Sequence, residues 1–489
     1  MAAFIDREKQ IDELRALFDT PGMKMAILYG RRRVGKSSLL THVWPEASTF
    51  YFVASETTPA INRRELITEG ARWAGQEAHP ADFPTWRTTF RFLLEMKPTE
   101  SIAIVLDEYQ YLRGEKEEDV DSQLLAAWET TRIQAPRDRS LVLALCGSIV
   151  GTMERLDGAG RPLHGRAHWK EKLEPFDYYD AGKMVPFKKL PDRAIAYGVV
   201  GGTPRYLETL EPNRPLGDSV ASAVLSPRGE VRSLVETVIE QEQAIQSISQ
   251  YKAILAAIAS GSTERNAIAQ ITGLKNDYGL RSMLGQLESL GYIVAHRNFG
   301  SAPNEAYRYW ILDPALLFYY RIVLPFRNEL ETSAPKEVWR SHIKRLIDSY
   351  MGRPVFEMMA KQGYNRLRAR RGLPLVREWS RWEGTDRAHR SIEMDIVSRL
   401  TDGRMLTGQV KWNRRPLSID IHKRHLRDLD RLADSGKRWA HQARQPQAPL
   451  LFVASGGFQE GFEARALESG HPVTLITLDD MYEESYQVR

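Results

Sequence analysis

Hydrophobic residues along this chain fall into two rhythms. Up to about residue 240, apolar runs of strand length recur at Met25–Tyr29, Thr49–Ala54, Ser101–Leu106 and Leu141–Leu145, with helix-sized stretches between them and a polar helix, Glu8–Phe18, in front. Strands alternating with helices in this way predict a parallel sheet covered on both faces, an α/β domain. From 241 to 330 the period changes. Ile254, Leu255, Ile258, Ile268, Ile271, Leu284, Leu287 and Leu290 recur at helical spacing across Tyr251–Ser260, Glu264–Ile271 and Tyr278–Leu290, and a ribbon is expected at Tyr292–Arg297 and Tyr307–Ile311. Three short helices followed by a hairpin predict a winged helix-turn-helix, with His296 and Arg297 in the wing. The aromatic run from Trp310 to Tyr320 reads as core. The third segment, 335–489, opens on a long helix expected over Glu337–Gln362 and continues with strands at Glu393–Leu400, Met405–Lys411, Leu450–Ala454 and Val473–Leu478. The expected domains are therefore 1–240, 241–330 and 335–489.

Composition adds mainly exclusions. The chain has 489 residues, 42% hydrophobic and 27% charged, which suits several globular domains and excludes a fibrous or disordered chain. No apolar run approaches the roughly 18–20 residues of a membrane span. The first ten residues lack a basic stretch followed by an apolar one, so no signal peptide is expected. Cys146 is the single cysteine, which rules out an intrachain disulfide and argues against a cysteine zinc site. A cytoplasmic protein without membrane attachment is the expectation. The net charge of +5 and pI near 9.0 are compatible with a polyanionic partner without requiring one.

The clearest chemistry is Gly30-Arg31-Arg32-Arg33-Val34-Gly35-Lys36-Ser37-Ser38, which satisfies G-x-x-x-x-G-K-[ST] between an apolar strand and a helix. Glycines there let backbone N–H groups wrap phosphate, Lys36 reaches the β/γ-phosphates and the Ser37 hydroxyl ligates Mg²⁺, with the helix dipole adding to the pull. Roughly 70 residues on, the strand Ser101–Leu106 ends in Asp107 and Glu108. Asp107 is expected to hold the Mg²⁺ through water, and Glu108 to polarise the attacking water. Ser148, ending the next strand, is placed to sense the γ-phosphate. Arg166 is a candidate arginine finger, acting on its own site or on that of a neighbouring copy in a homo-oligomer. ATP binding and hydrolysis follow.

Phe4-Ile5-Asp6-Arg7-Glu8, YGRRRVGKSSLL, IVLDEYQYL, LCGS, PLHGRA and Gly201-Gly202-Thr203-Pro204-Arg205-Tyr206-Leu207 stand in the order seen in archaeal-type P-loop ATPases. This is an AAA-like, STAND-related group, which residues 1–210 resemble. The resemblance implies that Arg7 lies near the nucleotide and that the turn carrying Pro204 approaches the base. It also implies a winged helix and a PD-(D/E)XK restriction-endonuclease-like domain further along the chain.

The third segment carries residues that suit such a domain. Asp395, in Ile392-Glu393-Met394-Asp395-Ile396-Val397, faces away from its apolar neighbours, and Gln409 and Lys411 share a strand face fourteen and sixteen residues later. An Asp and a second oxygen ligand would hold Mg²⁺ or Mn²⁺, while a lysine positions water for attack on a phosphodiester. The stretch resembles a D…(E/Q)xK pattern, with Gln409 where related fusion proteins carry a glutamate, and a neutral amide is the weaker ligand. Glu357 matches a helix-borne carboxylate of that family. Arg366, Arg368, Arg370, Arg371, Arg377, Arg381, Arg387 and Arg390, interleaved with Trp379 and Trp382 and extended by Arg414, Arg415, Lys423 and Arg424, suggest a DNA groove. Two functions are expected from this set. One is an ATP-dependent DNA nuclease suited to defence against foreign DNA; the other is a nucleotide-switched DNA-binding or signalling ATPase whose nuclease-like domain is inactive.

Overall fold

A computed structural model describes residues 5–113, 117–136, 138–242, 245, 247–302 and 305–483. Phe4 lies outside the described residues. The chain packs as two compact units: residues 1–175 with 203–205 and 242–244, and the remainder. Where the sequence suggests boundaries near 240 and 330, the break in packing falls after Pro175. Among the described residues no helix is long and apolar enough to cross a membrane.

The first unit is built on five parallel strands, β1 (Gly22–Tyr29), β2 (Thr49–Val53), β3 (Ile102–Asp107), β4 (Ser140–Gly147) and β5 (Trp169–Lys172), in the order β2-β3-β4-β1-β5. Strands β3 and β4 are buried along their whole length, as expected of apolar runs covered on both faces. Leu28, Val105, Ala144 and Cys146 form one core with Leu39, Leu40 and Val43 of the helix Lys36–Val43. Strand β5 is short, charged and partly exposed, so its sequence carries no apolar run to announce it. The carboxyl ends of β1, β3 and β4 lie side by side, the usual ligand edge of a parallel sheet.

The second unit contains helices Ile248–Ala259, Arg265–Thr272 and Tyr278–Ser289, leading into the antiparallel ribbon β6 (Ile293–His296) and β7 (Arg308–Ile311). Its larger sheet comprises β8 (Val376–Thr385), β9 (Ser391–Leu400), β10 (Met405–Lys411), β11 (Leu450–Ala454) and β12 (Val473–Thr477), ordered β12-β11-β10-β9-β8. β8 to β10 are antiparallel, whereas β10, β11 and β12 are parallel. Leu429, Leu432 and Ala433 of the helix Asp420–Asp434 pack on Met394, Val397 and Met405. The helix Phe356–Arg371 joins the sheet through Tyr364 on Trp379 and Phe356 on Trp412.

Two expectations change. The helix expected over Glu337–Gln362 is broken: Arg353 is extended (φ −155°, ψ 131°), and a new helix starts at Phe356 and runs to Arg371. Pro354 is the cause, since proline removes a donor and forces the residue before it out of the helical region. Strand β8 occupies the arginine- and tryptophan-rich stretch read as a groove. The β8–β9 ladder slips between Ser380 and Trp382, leaving Arg381 opposite Asp395 and Ile396. Irregularities of this kind re-aim side chains and are enriched beside active sites.

Candidate functional sites

The loop between β1 and its helix has the geometry of a phosphate cradle. Gly30 takes φ +153°, and a Cβ there would stand 2.4 Å from the Leu173 carbonyl oxygen. Arg33 and Gly35 also have positive φ, so successive backbone N–H groups can turn toward a common point. Lys36 is buried, and its ammonium donates to the carbonyls of Gly30 (2.9 Å) and Arg31 (3.0 Å), spanning the loop it closes. Val34 anchors the loop in the core, while Ser37 and Ser38 open the helix on its exposed side.

At the end of β3, Asp107 Oδ2 accepts from Ser37 Oγ (2.7 Å) and from the Tyr51 hydroxyl (2.5 Å), and Asp107 Oδ1 accepts from the Glu108 amide (2.9 Å). Burial works to raise the Asp107 pKa, but the hydroxyl donors from Tyr51 and Ser37 outweigh it and hold the group below its ordinary value. Burial and the facing Asp107 push the Tyr51 phenol up, so it stays a donor. Ser37 Oγ and Asp107 thus supply oxygen donors of the sort a hard divalent cation takes. Glu108 accepts from Gln110 and from Ser148 Oγ (2.8 Å), so Ser148 stands at this edge beside the second carboxylate.

The other expected residues are more dispersed. Pro204 Cγ lies 3.8 Å from where a Gly35 Cβ would be, which places the Pro204 turn beside the loop. Arg7 is buried and donates to the Glu174 carbonyl (2.5 Å). Arg166 is half exposed and pairs with Glu129 at 3.3 Å.

In the second unit, carboxylate oxygens of Glu357, Glu393 and Asp395 all lie within 4.8 Å of one another. The restarted helix brings Glu357, and β9 brings Glu393 and Asp395 two positions apart on one face. Lys411 Nζ donates to Asp395 Oδ2 at 2.5 Å, and the Val410 amide donates to the same oxygen at 2.9 Å. The Gln409 side-chain nitrogen donates to the main-chain oxygen of Glu393 (3.0 Å), bracing β9 against β10. Burial drives the Glu357 pKa up to about 7, with Asp395 adding to the rise and Arg381 opposing it.

Arginines close this cluster. Arg381 reaches Glu357 (3.4 Å), Glu383 (3.3 Å) and Glu393, while Arg353 reaches Glu393 (2.7 Å) and Glu383 (2.6 Å). Both guanidiniums lie over the Trp310 ring of β7, at 4.4 and 5.1 Å. Chain beyond β6 runs alongside β8, where the Phe299 amide donates to the Arg381 carbonyl (2.8 Å) and Asn298 Nδ2 to that of Glu383 (2.7 Å). His296 is pushed down to about 4, by burial first and then by Arg381.

A family described as "ATPase domain predominantly from Archaea" matches residues 4–210, and one described as "Archaea bacterial proteins of unknown function" matches 319–426. The P-loop segment thus matches an ATPase domain family over its whole length. An uncharacterized protein of Methanocaldococcus jannaschii is 25% identical over 434 residues, spanning 88% of this chain and 91% of its own. Among solved structures, the Walker-type ATPase of Pyrococcus abyssi aligns with 65% of this chain and 96% of its own at 22% identity and TM-score 0.48. The Aeropyrum pernix ORC2 protein, in ADPNP–ADP complexes, aligns with 68% and 97% at 14% identity and TM-score 0.43.

Part of the expected basic groove is taken up by internal pairing. Arg366 bonds Asp177 and Asp180, Arg370 bonds Glu483, Arg371 bonds Asp480, and Arg390 bonds Asp386. Trp382 is buried on Trp439, so it belongs to the core rather than to a stacking platform. Sequence reasoning missed Tyr51, Arg353 and Glu393. For Glu393 a signal existed, since it stands two positions before Asp395 in a strand; for Tyr51 and Arg353, which act across the fold, none did.

Proposed function

We propose that this chain couples ATP binding and hydrolysis in its P-loop domain to Mg²⁺-dependent cleavage of DNA in its C-terminal sheet, with Mn²⁺ an alternative ion. The helices and ribbon of 241–330 serve in this reading as a winged helix between an ATPase domain (1–240) and a restriction-endonuclease-like domain (335–489). One observation carries the cleavage half: three carboxylates converge within 4.8 Å while Lys411 Nζ stands 2.5 Å from one of them. Removal of foreign DNA is a role that suits the pairing of an ATPase with a nuclease.

In the ATPase site, the loop amides and Lys36 hold the phosphates, and Ser37 and Asp107 would hold Mg²⁺. Tyr51 keeps Asp107 ionised and turned toward Ser37. Glu108, released from Gln110 and Ser148, orients the attacking water. Arg166 stands in reserve on Glu129 as a finger for this site or a neighbouring copy's. In the second site, Glu357, Glu393 and Asp395 would hold the divalent ion, which supplies Lewis-acid stabilisation of the phosphodiester. Lys411 orients the nucleophilic water from the Asp395 side, and Gln409 keeps β9 and β10 in register behind it.

Cleavage of linear, circular and single-stranded DNA with Mg²⁺ or Mn²⁺, with and without ATP, tests the reading. Metal-dependent cutting that disappears in Lys411→Ala and changes with ATP or in Lys36→Ala supports it. A second reading, a DNA-binding switch whose C-terminal site is silent, is favoured by the arginines already seated on Glu357 and Glu393. Absence of cutting, together with DNA-stimulated ATP hydrolysis, would select it.

A further inference from the structure

Four carboxylates, Glu357, Glu383, Glu393 and Asp395, face four cations, Arg308, Arg353, Arg381 and Lys411, so the formal charges of the cluster balance as they stand. A divalent ion entering among the carboxylates competes directly with the two guanidiniums. Each arginine then has a reason to stay nearby, because the Trp310 face beneath both holds a guanidinium whatever its carboxylate is doing. Arg381 is fixed further by the irregularity in the β8–β9 ladder, where it alone stands opposite Asp395 and Ile396, and by the Phe299 amide on its carbonyl. Its side chain is only 8% exposed, and its Nε has no hydrogen-bond partner among the described residues.

We infer that Arg353 and Arg381 are the phosphodiester-binding element of the C-terminal site, held on its carboxylates until a divalent ion takes their place. This rests on the nuclease reading and adds its order of events. With the ion seated, the site changes from neutral to a net +2, and two guanidiniums stacked on Trp310 are turned over to a phosphate, the anion their fork geometry fits best. Metal and phosphodiester therefore bind cooperatively, each strengthening the other by the same factor. Glu383, which Arg353 (2.6 Å) and Arg381 (3.3 Å) already share, is also bonded by Arg308 of β7, itself paired with Glu264 (3.0 Å).

The test uses the full chain without nucleotide, titrated with Mn²⁺ and read by electron paramagnetic resonance of the free ion. Titrations are run with and without a 20-base-pair phosphorothioate duplex, which resists cutting. The duplex is expected to tighten Mn²⁺ binding about tenfold or more in the unmodified protein. Arg353→Gln with Arg381→Gln should bind Mn²⁺ more tightly alone and lose the response to duplex. Trp310→Leu, which leaves every charge in place, should weaken the response and covers the case in which the double variant fails to fold, judged by thermal melting. A duplex response of equal size in Trp310→Leu, the double variant and the unmodified protein overturns the role of the arginines while leaving the metal site standing. Mn²⁺ binding that is unchanged in Asp395→Asn overturns the metal site itself, and with it the nuclease reading.

Discussion

The two candidate sites both set a lysine beside oxygen atoms, but they keep it waiting differently. In the P-loop, Lys36 rests on backbone carbonyls of its own loop, and the anion receptor is made of peptide groups whose positions the fold already fixes. In the C-terminal site, Lys411 rests on a carboxylate, and two arginines occupy the others. A receptor of backbone amides is complete before its ligand arrives; one built of opposed side-chain charges must exchange partners to work. The first arrangement advertises itself as a local motif, whereas the second is assembled from four elements.

The sharpest way to break this comparison is to disable one site and read the other. Lys36→Ala is expected to lower ATP hydrolysis by about 100-fold or more, while Mn²⁺ binding at Glu357, Glu393 and Asp395 stays unchanged. Asp395→Asn should abolish the metal-dependent reaction and leave ATP hydrolysis without DNA untouched. Loss of both activities from either substitution, in protein that still melts cooperatively, would mean that the sites are not separable.

Acid separates the two units next. His425 is fully buried, with its ring on Thr407 Oγ1 at 2.9 Å, and burial holds its pKa down near 3. Its folded pKa lies below the ordinary value of about 6.5, so the unfolded chain gains the proton first, and stability falls as pH drops below 6.5. By pH 4 the cost is on the order of 3 kcal/mol, and His296 adds in the same direction. Thermal melts from pH 7 to 4 should show the C-terminal unit weakening, and His425→Gln should flatten that slope. An identical slope in the variant would place the acid sensitivity elsewhere.

Smaller effects sharpen the picture of the ATPase site. Tyr51→Phe removes one donor to the Asp107 carboxylate and is expected to raise the Mg²⁺ concentration needed for half-maximal hydrolysis by about tenfold, from the typical strength of a hydrogen bond to a charged group. A lower kcat with unaltered Mg²⁺ dependence would contradict the positioning role. Arg166→Ala removes an exposed ion pair and should change stability by less than about 1 kcal/mol, so any large fall in its hydrolysis rate reports a catalytic role.

What could be read from sequence follows the same division. The loop Gly30–Ser38, Asp107, Glu108 and most strands were legible because each is encoded by adjacent residues or a simple period. β10 and β11 begin and end where the apolar pattern places them. β5 was invisible because Trp169–Lys172 carries charge instead of an apolar run. The break at Pro354 was legible in principle, and it matters because the interruption lets Arg353 reach Glu383 and Glu393. Tyr51 on Asp107 and Arg381 on Glu357 are contacts between distant segments, 56 and 24 residues apart, and no local pattern encodes them. Within the arginine cluster, sequence could not show which members pair inside the fold, since Asp177, Asp180, Asp480 and Glu483, which hold Arg366, Arg370 and Arg371, stand elsewhere in the chain.

The central claim, that the C-terminal site cuts a phosphodiester, is tested most directly by conversion of supercoiled plasmid to nicked and linear forms in Mg²⁺, with the unmodified protein and Asp395→Asn prepared side by side. Cutting by the first and none by the second is the predicted result. Equal cutting by both, or no cutting by either in Mg²⁺ or Mn²⁺ with ATP present, would contradict it.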